Sequence, residues 1–353
     1  MFLTSPYIDQ AIALKSKYNI RVINLSLGRP IYESYTLDPL CQAVEKAWQA
    51  GIVVVVAAGN DGRDNSIGTD GYGTINAPAN DPTVITVGAM NTHGTSDRSD
   101  DTVTSYSSKG PSAVDHVVKP DVVAPGNQIA SLEQGYLKSA YPNNRVPNNY
   151  YLTTTDTKLS DKYFVLSGTS MAAGAVSGVV ADLLEAHPAL TPDQVKASLM
   201  KTASKNFPAF STVIDNGIIY TSQYDVFTIG AGYVDAQAAL NDSSLATLPA
   251  TSPTAIFDST TSNVYFLYDQ NALWGSNALW GSSTIWGANA FVGTSNLSGT
   301  NALWGSNALW GSNALWGSTT LDGFNALWGS NALWGSASAT QTQSLSAAIN
   351  GDN

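Results

Sequence analysis

The most constraining feature of the sequence is an uninterrupted apolar run, Ile-Val-Val-Val-Val, at residues 52–56. The run lies between Gly51 and Gly59 and has no polar alternation, which is typical of a strand buried on both faces of a parallel sheet. Further strand-like segments follow at residues 83–87 and 121–124, and segments with helical spacing alternate with the strands. This alternation predicts an α/β fold with a mainly parallel sheet.

The charge balance excludes several classes of partner. Among 353 residues, 16 Lys and Arg are outnumbered by 27 Asp and Glu, for a net charge of −11. Binding to nucleic acid needs clustered cations, so we expect no nucleic-acid partner. The sequence has no run of the ~18 apolar residues that a membrane span needs, and residues 1–6 lack the basic start and apolar core of a signal peptide. We therefore expect no membrane span and no signal peptide in these residues.

The single cysteine, Cys41, excludes an internal disulfide and a cysteine-based zinc site. It shares a predicted helical face with Leu40, Val44 and Trp48, which predicts a small buried thiol. We expect no metal site from the pattern of the other ligating residues.

The last part of the chain is repetitive. Residues 271–336 divide into eleven six-residue units, of which seven read Asn-Ala-Leu-Trp-Gly-Ser, and no Lys or Arg follows Lys205. Stacked extended units would form ladders of Asn and Trp, as in a β-solenoid, and a disordered low-complexity tail is the alternative. The exposed indoles could attach to cell-surface carbohydrate, or the repeats could pack against one another in self-association.

Two short motifs carry residues suited to chemistry. Ser170 lies in Gly-Thr-Ser-Met-Ala at a strand-to-helix turn, where its hydroxyl projects beside backbone N–H groups that can face an oxyanion. The alternative is a serine that caps a core helix. Asn60 follows the buried strand at residues 52–56, where its amide can donate to developing negative charge, and the alternative is a simple Asn-Asp-Gly turn.

Six motifs in the same order resemble those of the subtilisin-like serine proteases, the subtilases. They cover about residues 5–240 and comprise Val22–Gly28, Ala57–Asn60, Ser107–Pro111, Lys119–Gly126, Gly168–Ala172 and Gly230–Ala236. The resemblance implies a three-layer subtilisin-like fold, peptide-bond hydrolysis, a polypeptide substrate and an extracellular location. Calcium is a frequent cofactor of the family, but no acidic loop in this sequence is specific enough to assign to it.

The resemblance also implies roles for individual residues. Ser170 would be the nucleophile and Asn60 the side-chain oxyanion donor. Two backbone segments would bind the substrate. The first would hold it as an extended strand and comprises Ser26, Leu27 and Gly28. The second would line the pocket for the residue before the cleaved bond and comprises Ala57, Ala58 and Gly59.

The sequence departs from the family in the remaining catalytic residues. Subtilases carry an Asp-Ser/Thr-Gly motif and a His-Gly-Thr-His motif before the Val-Ile-Asn-Leu-Ser-Leu-Gly strand, and neither occurs in the residues before that strand here. His93 imitates the second motif but lies after Asn60, while His116 and His187 fall in a loop and a turn. We expect none of the three histidines to be the base. After Ala173 the family usually continues with Pro-His, where this chain has Gly174 and an alanine.

These observations predict the C-terminal portion of a subtilase domain, with the N-terminal part of the fold missing and an exposed sheet edge as the result. The chain would be a fragment of a longer secreted protease, nearly inactive alone. The alternative is a non-catalytic surface or assembly protein that carries a decayed protease domain. The predicted regions are a partial catalytic domain at residues 1–243, a linker at 244–270, the repeat at 271–336 and a polar tail at 337–353.

Overall fold

The structure is a computed structural model. It describes residues 4–66, 68–133, 137–243, 245–246, 249–258, 263–267 and 347–352. The six-residue repeat at 271–336 lies outside the described residues, so its predicted solenoid or disordered character stays a prediction.

A five-stranded sheet forms the centre of the molecule. The strands are β1 (Val22–Leu25), β2 (Val53–Ala57), β3 (Ile85–Asn91), β4 (Thr102–Val103) and β5 (Val122–Pro125). Their order is β1-β2-β3-β4, with β5 also paired to β3, and every pairing except that of β3 with β4 is parallel. The predicted mainly parallel sheet is confirmed, and β2 is buried along its whole length, as its apolar run indicates.

The described part of the chain contains seven α-helices. They are α1 (Thr4–Tyr18), α2 (Pro39–Gln49), α3 (Leu137–Ala140), α4 (Thr169–Ala186), α5 (Pro192–Thr202), α6 (Val226–Ile229) and α7 (Ala236–Leu240). Helix α4 contacts β1, β2, β3 and β5, whereas α2 contacts β2 and α1. Because α4 crosses four strands, its first residues lie at a fixed position relative to the strand ends.

Strand β1 is at the edge of the sheet in the described residues, and two of its side chains are half-buried while Asn24 is exposed. Helix α4 likewise exposes Gly174, Ala175 and Gly178 on one face. These exposed positions agree with the sheet edge that the sequence predicts.

Residues 133–163 are polar, rich in Asn and Tyr and without clear period, which predicts a long loop. This prediction is wrong in part. Antiparallel strands β6 (Ile129–Leu132), β7 (Arg145–Pro147) and β8 (Leu159–Leu166) form a three-stranded sheet of order β6-β8-β7, with two short 3-10 helices at Pro142–Asn144 and Asn148–Tyr150. The pairing is antiparallel and interrupted by a register shift in β7, so the segment lacks the even alternation by which a strand is recognised in sequence.

Two hairpins complete the described structure: β9 (Phe210–Asp215) with β10 (Ile218–Gln223), and β11 (Thr254–Asp258) with β12 (Asn263–Leu267). The second hairpin lies inside the predicted linker at 244–270. That segment also packs on the domain, because the Ser252 hydroxyl donates to Asp121 at 2.6 Å and accepts from the Lys196 ammonium at 3.0 Å. The linker therefore contains ordered structure, while the division into domains stays a prediction.

The described residues include no helix with the length and apolar character needed to cross a membrane.

Candidate active site

Ser170 is the second residue of α4, directly after the turn that joins β8 to this helix. Gly168 makes the turn with a φ of 144°, a conformation that favours glycine, and its N–H donates to the Gly126 carbonyl at 2.8 Å. A Cβ at Gly168 would lie 3.1 Å from the Asn60 side-chain nitrogen. The missing side chain therefore lets the turn approach Asn60 closely.

Asn60 follows β2 and is attached to the start of α4 through its side-chain oxygen. Its Oδ1 accepts from the Thr169 backbone N–H at 2.9 Å and lies 3.1 Å from the Thr169 hydroxyl. With the oxygen held by Thr169, the Nδ2 group lies beside Gly168, at the turn that carries Ser170. The structure thus places an amide group at the turn that carries the predicted nucleophile.

Ser26 connects the end of β1 to the same helix. Its hydroxyl donates to the backbone carbonyl of Ser170 at 2.7 Å and accepts from the Asn24 amide at 2.9 Å. Asn24 in turn accepts at 3.0 Å from the hydroxyl of Ser177, which lies about two turns after Ser170 along α4. These polar contacts join β1 to α4. Asn24 and Ser177 are not among the site residues predicted from the sequence.

The two predicted substrate-binding segments flank the start of α4 on different strands. Ser26 and Gly28 are exposed after β1, and an added Cβ at Gly28 would lie 2.9 Å from the Asn76 Cβ. Ala57 and Ala58 are buried at the end of β2, with 4% and 0% of their surface exposed. Ser26 contacts Ser170 and Gly59 contacts Thr169, so one residue of each segment lies at the start of α4. The substrate-binding role of both segments stays a prediction.

A second group of loops supports the Asn60 turn. The Asp61 N–H donates to the Ser108 hydroxyl at 3.1 Å, and the Asn76 amide donates to the Asp61 carboxylate at 3.0 Å. A Cβ at Gly59 would lie 2.5 Å from the Asn76 nitrogen and 2.6 Å from the Ser108 hydroxyl. Only a glycine fits this position, which also has a φ of 119°.

A buried acid lies behind these loops. Asp225 caps α6 by accepting from the N–H groups of Phe227 and Thr228, and it accepts from the Tyr72 hydroxyl at 2.6 Å. Burial raises the pKa of Asp225 to about 6, and burial also lowers the pKa of the neighbouring Lys109 to about 8. Asp225 thus joins α6 to Tyr72, and the Lys109 ammonium donates to the Asp70 carbonyl at 2.9 Å.

The three histidines lie in other parts of the fold. His93 Nε2 is 2.9 Å from the Thr102 hydroxyl, in the turn after β3. His187 caps the far end of α4, opposite Ser170, with its Nε2 3.2 Å from the Leu240 carbonyl. The His116 carbonyl accepts from Ala255 at 2.8 Å, in the loop beside β11. These contacts involve residues other than Ser170, and the expectation that none of the histidines serves as its base stays a prediction.

Calcium, which the family resemblance implies, has no recognisable site in the described ranges. No group of three or more His, Cys, Asp or Glu side chains lies close enough together there to hold a metal ion. We assign no residue to a metal.

Comparison with known protein families gives a match over most of this region. A family model described as the subtilase family, Peptidase_S8, matches residues 2–232. Serine protease AprX of Bacillus subtilis (strain 168) is 41% identical over 189 residues, which are 53% of this chain and 38% of that protein. Subtilisin DY of Bacillus licheniformis is 32% identical over 232 residues, which are 66% of this chain and 61% of that protein.

Among solved structures, fervidolysin from Fervidobacterium pennivorans, described as a keratinolytic enzyme related to subtilisin, is 27% identical with a TM-score of 0.47. The match covers 76% of this chain and 34% of fervidolysin. The chain thus spans less than two thirds of the length of each of these relatives.

Proposed function

The chain belongs to the subtilase family, and on that premise we propose that it carries the nucleophile and the oxyanion site of a serine endopeptidase. Ser170 is the nucleophile and Asn60 the side-chain oxyanion donor. The observation that carries this assignment is the attachment of Asn60 Oδ1 to Thr169, because it directs the other branch of the amide toward the turn of Ser170.

The chemistry follows from this geometry. The Ser170 hydroxyl oxygen attacks the carbonyl carbon of a peptide bond, and its proton passes to a base. The negative charge that develops on the carbonyl oxygen is stabilised by the Asn60 N–H and by backbone N–H groups at the start of α4. The leaving amine takes up the proton, and water then hydrolyses the seryl ester in a second round of the same steps.

The substrate is a polypeptide bound between two backbone segments. Ser26, Leu27 and Gly28 pair with it as an extended strand, and the exposure of Ser26 and Gly28 supports this role. Ala57, Ala58 and Gly59 line the pocket for the residue before the cleaved bond. By family resemblance this hydrolysis takes place outside the cell.

The 353 residues alone hydrolyse peptides very slowly in this proposal. His93 and His187 make hydrogen bonds in other parts of the fold, and a serine without a positioned base is a weak nucleophile. In a subtilisin, which is a relative and not this chain, loss of the serine or the histidine lowers kcat by about 10⁶. The oxyanion site and substrate binding still give about 10³ to 10⁴ over water.

Fluorophosphonate labelling of the folded full chain, measured by intact mass, tests both parts of the proposal. We expect slow labelling that added imidazole accelerates, because imidazole in solution supplies the base that Ser170 lacks. Ser170→Ala should abolish the labelling, whereas Ser96→Ala, at an exposed loop serine, should not change it.

Two results would contradict the proposal in different ways. Labelling that persists in Ser170→Ala would exclude Ser170 as the nucleophile. Rapid, stoichiometric labelling without imidazole that is lost in Ser170→Ala would show that a histidine of this chain serves as base. His93→Ala, His116→Ala and His187→Ala would then identify it.

A further inference from the structure

A short segment from the end of the sequence is buried in the protease-like domain. Residues 347–352, here called the docked segment, begin with a helical turn at 347–350 and end with Gly351 and Asp352. Ala347 and Asp352 have 1% and 2% of their surface exposed, although the nearest described residue before them in sequence is Leu267. The segment therefore returns to the domain from a distant part of the chain.

The carboxylate of Asp352 occupies a polar pocket. It accepts from the Arg63 guanidinium at 2.8 Å, from the Ser105 N–H at 2.6 Å and from the Ser105 hydroxyl at 2.7 Å. The Arg63 and Asp352 side chains are 7% and 1% exposed, so the ion pair is largely shielded from water. Hydrogen bonds of this charged and buried kind are the strong ones.

The backbone of Asp352 is bound as specifically as its side chain. Asn127 accepts from the Asp352 N–H at 2.9 Å and donates to its carbonyl at 2.9 Å, and Asn91 donates to the same carbonyl at 3.4 Å. An amide that contacts both the N–H and the C=O of one residue recognises a peptide and not only an anion. We call Arg63, Asn91, Ser105 and Asn127 the Arg63 pocket.

The residue before Asp352 must be small. Gly351 has a φ of 69°, and a Cβ there would lie 2.4 Å from the Asn127 side-chain oxygen and 2.6 Å from the Ser167 hydroxyl. The Arg63 pocket therefore accepts Gly-Asp and excludes a side chain at the position before the acid.

The docked segment also reaches the turn that carries the nucleophile. The Ser167 N–H donates to the Ala348 carbonyl at 2.9 Å, and Ser167 directly precedes Gly168. The Asn144 amide donates to the Ile349 carbonyl at 2.5 Å. Because the Ser167 N–H bonds to the docked segment, hydrogen exchange of this amide, three residues before Ser170, shows whether the segment is bound.

We propose that the Arg63 pocket is a peptide-recognition site for a Gly-Asp sequence, and that the docked segment is its intramolecular ligand. Ala347 is the residue of the docked segment that joins the hydrophobic core, and Ala348 and Ile349 are half-buried. The contacts of Asp352, by contrast, are all polar, and they give the binding its specificity. A ligand held in this way exchanges, and its covalent attachment raises its effective concentration at the pocket. A peptide of the same sequence competes for the pocket once the attached segment is displaced.

The test uses full chains in which the docked segment is displaced and the pocket is untouched. Gly351→Ala displaces the segment by steric clash, and Asp352→Ala removes the ion pair. Gly94→Ala is the matched control, because Gly94 has a φ of 71° and no atom within 4 Å of an added Cβ. Hydrogen exchange at the Ser167 amide reports displacement in each variant.

Binding is measured by fluorescence anisotropy with a labelled synthetic peptide of residues 344–353, Ser-Leu-Ser-Ala-Ala-Ile-Asn-Gly-Asp-Asn. We expect the Gly351→Ala chain to bind this peptide, and the wild-type and Gly94→Ala chains to bind it at least about tenfold more weakly because the pocket is occupied. The same peptide with Asp352→Ala should bind the Gly351→Ala chain about 10- to 100-fold more weakly than the natural sequence.

Four outcomes would overturn the proposal. If the Ser167 amide stays protected in both displaced variants, or if both variants fail to fold, the segment is a permanent part of the core. If the displaced chains do not bind the peptide, or bind the Asp352→Ala peptide equally well, the pocket does not recognise Gly-Asp. The readout is binding and not hydrolysis, so a failure of the Ser170 assignment would leave this test unaffected.

Discussion

The hydroxyl of Thr169 accepts a hydrogen bond from the backbone N–H of Gly59 at a distance of 3.1 Å. It connects the first residue of α4 to the end of β2, and both partners are neighbours of a proposed catalytic residue. The turn of Ser170 and the turn of Asn60 are consequently held as one unit by a side chain that touches neither the nucleophile nor a substrate.

Thr169→Val tests the strength of this connection. The valine keeps the volume of the buried threonine but leaves the Gly59 N–H without its acceptor, so we expect a loss of about 1–3 kcal/mol in the free energy of unfolding. Thr169→Ser keeps the hydroxyl and is the matched control, with a smaller loss. Chemical denaturation followed by circular dichroism measures both, and equal stabilities for the two variants would refute the connection.

Helix α4 contains two glycines whose replacement by alanine should stabilise the helix. Gly174 and Gly178 are exposed, and an added Cβ at either would meet no atom within 4 Å. Glycine disfavours a helix interior relative to alanine, so we expect Gly174→Ala and Gly178→Ala each to raise the free energy of unfolding by about 1 kcal/mol. Ala175→Gly, at an exposed position between them, should lower it by a similar amount. Thermal melts of the three variants provide the measurement.

Asp225 makes stability depend on pH in the acid range. Its pKa is about 6 in the folded state, above the ordinary value of 3.8, because burial disfavours the charged form. The folded state therefore binds more protons than the unfolded state between pH 4 and 6, and the Asp225 contribution to stability falls as the pH rises through this window, by up to about 3 kcal/mol.

Asp225→Asn isolates this contribution, because asparagine can still accept from Phe227 and Thr228 but does not ionise. We expect the stability of wild type relative to Asp225→Asn to be greatest near pH 4 and to decrease toward pH 7. Urea denaturation of both proteins across this range provides the comparison, and a constant difference would contradict the raised pKa.

Cys41 should be unreactive in the folded chain. The residue is 0% exposed, and burial raises the pKa of its thiol, so the reactive thiolate is almost absent. We expect no alkylation by iodoacetamide at pH 8 in the native state and complete alkylation of the same chain in guanidinium. Mass spectrometry measures the extent. Native alkylation as fast as in denaturant would show that α2 opens readily.

The sequence-based predictions succeed where a feature is local. The apolar run at residues 52–56 identifies β2 because a strand buried on both faces needs no polar alternation. The caps of α2 and α5 are local in the same sense, because Asp38 and Thr191 each accept from backbone N–H groups within three residues. The turns of Asn60 and Ser170 were also located, since the motifs that contain them keep short fixed spacings.

Contacts between distant parts of the chain could not be predicted in the same way. Ser252 reaches Asp121, and Asp352 reaches Arg63, across long separations, and single polar residues in Ser- and Asn-rich segments carry no periodic signal. Strands β11 and β12 lie within the predicted linker, because the Ser-, Thr- and Pro-rich composition of this part of the chain is typical of a loop. The bridging role of Thr169 depends on the approach of two turns and not on its own neighbours.

Arg63 forms ion pairs with two carboxylates. One branch of its guanidinium lies 2.6 Å from Asp215, at the tip of the β9–β10 hairpin, and the other holds Asp352 of the docked segment. The hairpin and the docked segment are therefore thermodynamically linked through one cation. A ligand that draws Asp215 away from Arg63 changes the affinity of the pocket for Asp352 by some factor, and release of the docked segment must change the affinity for that ligand by the same factor.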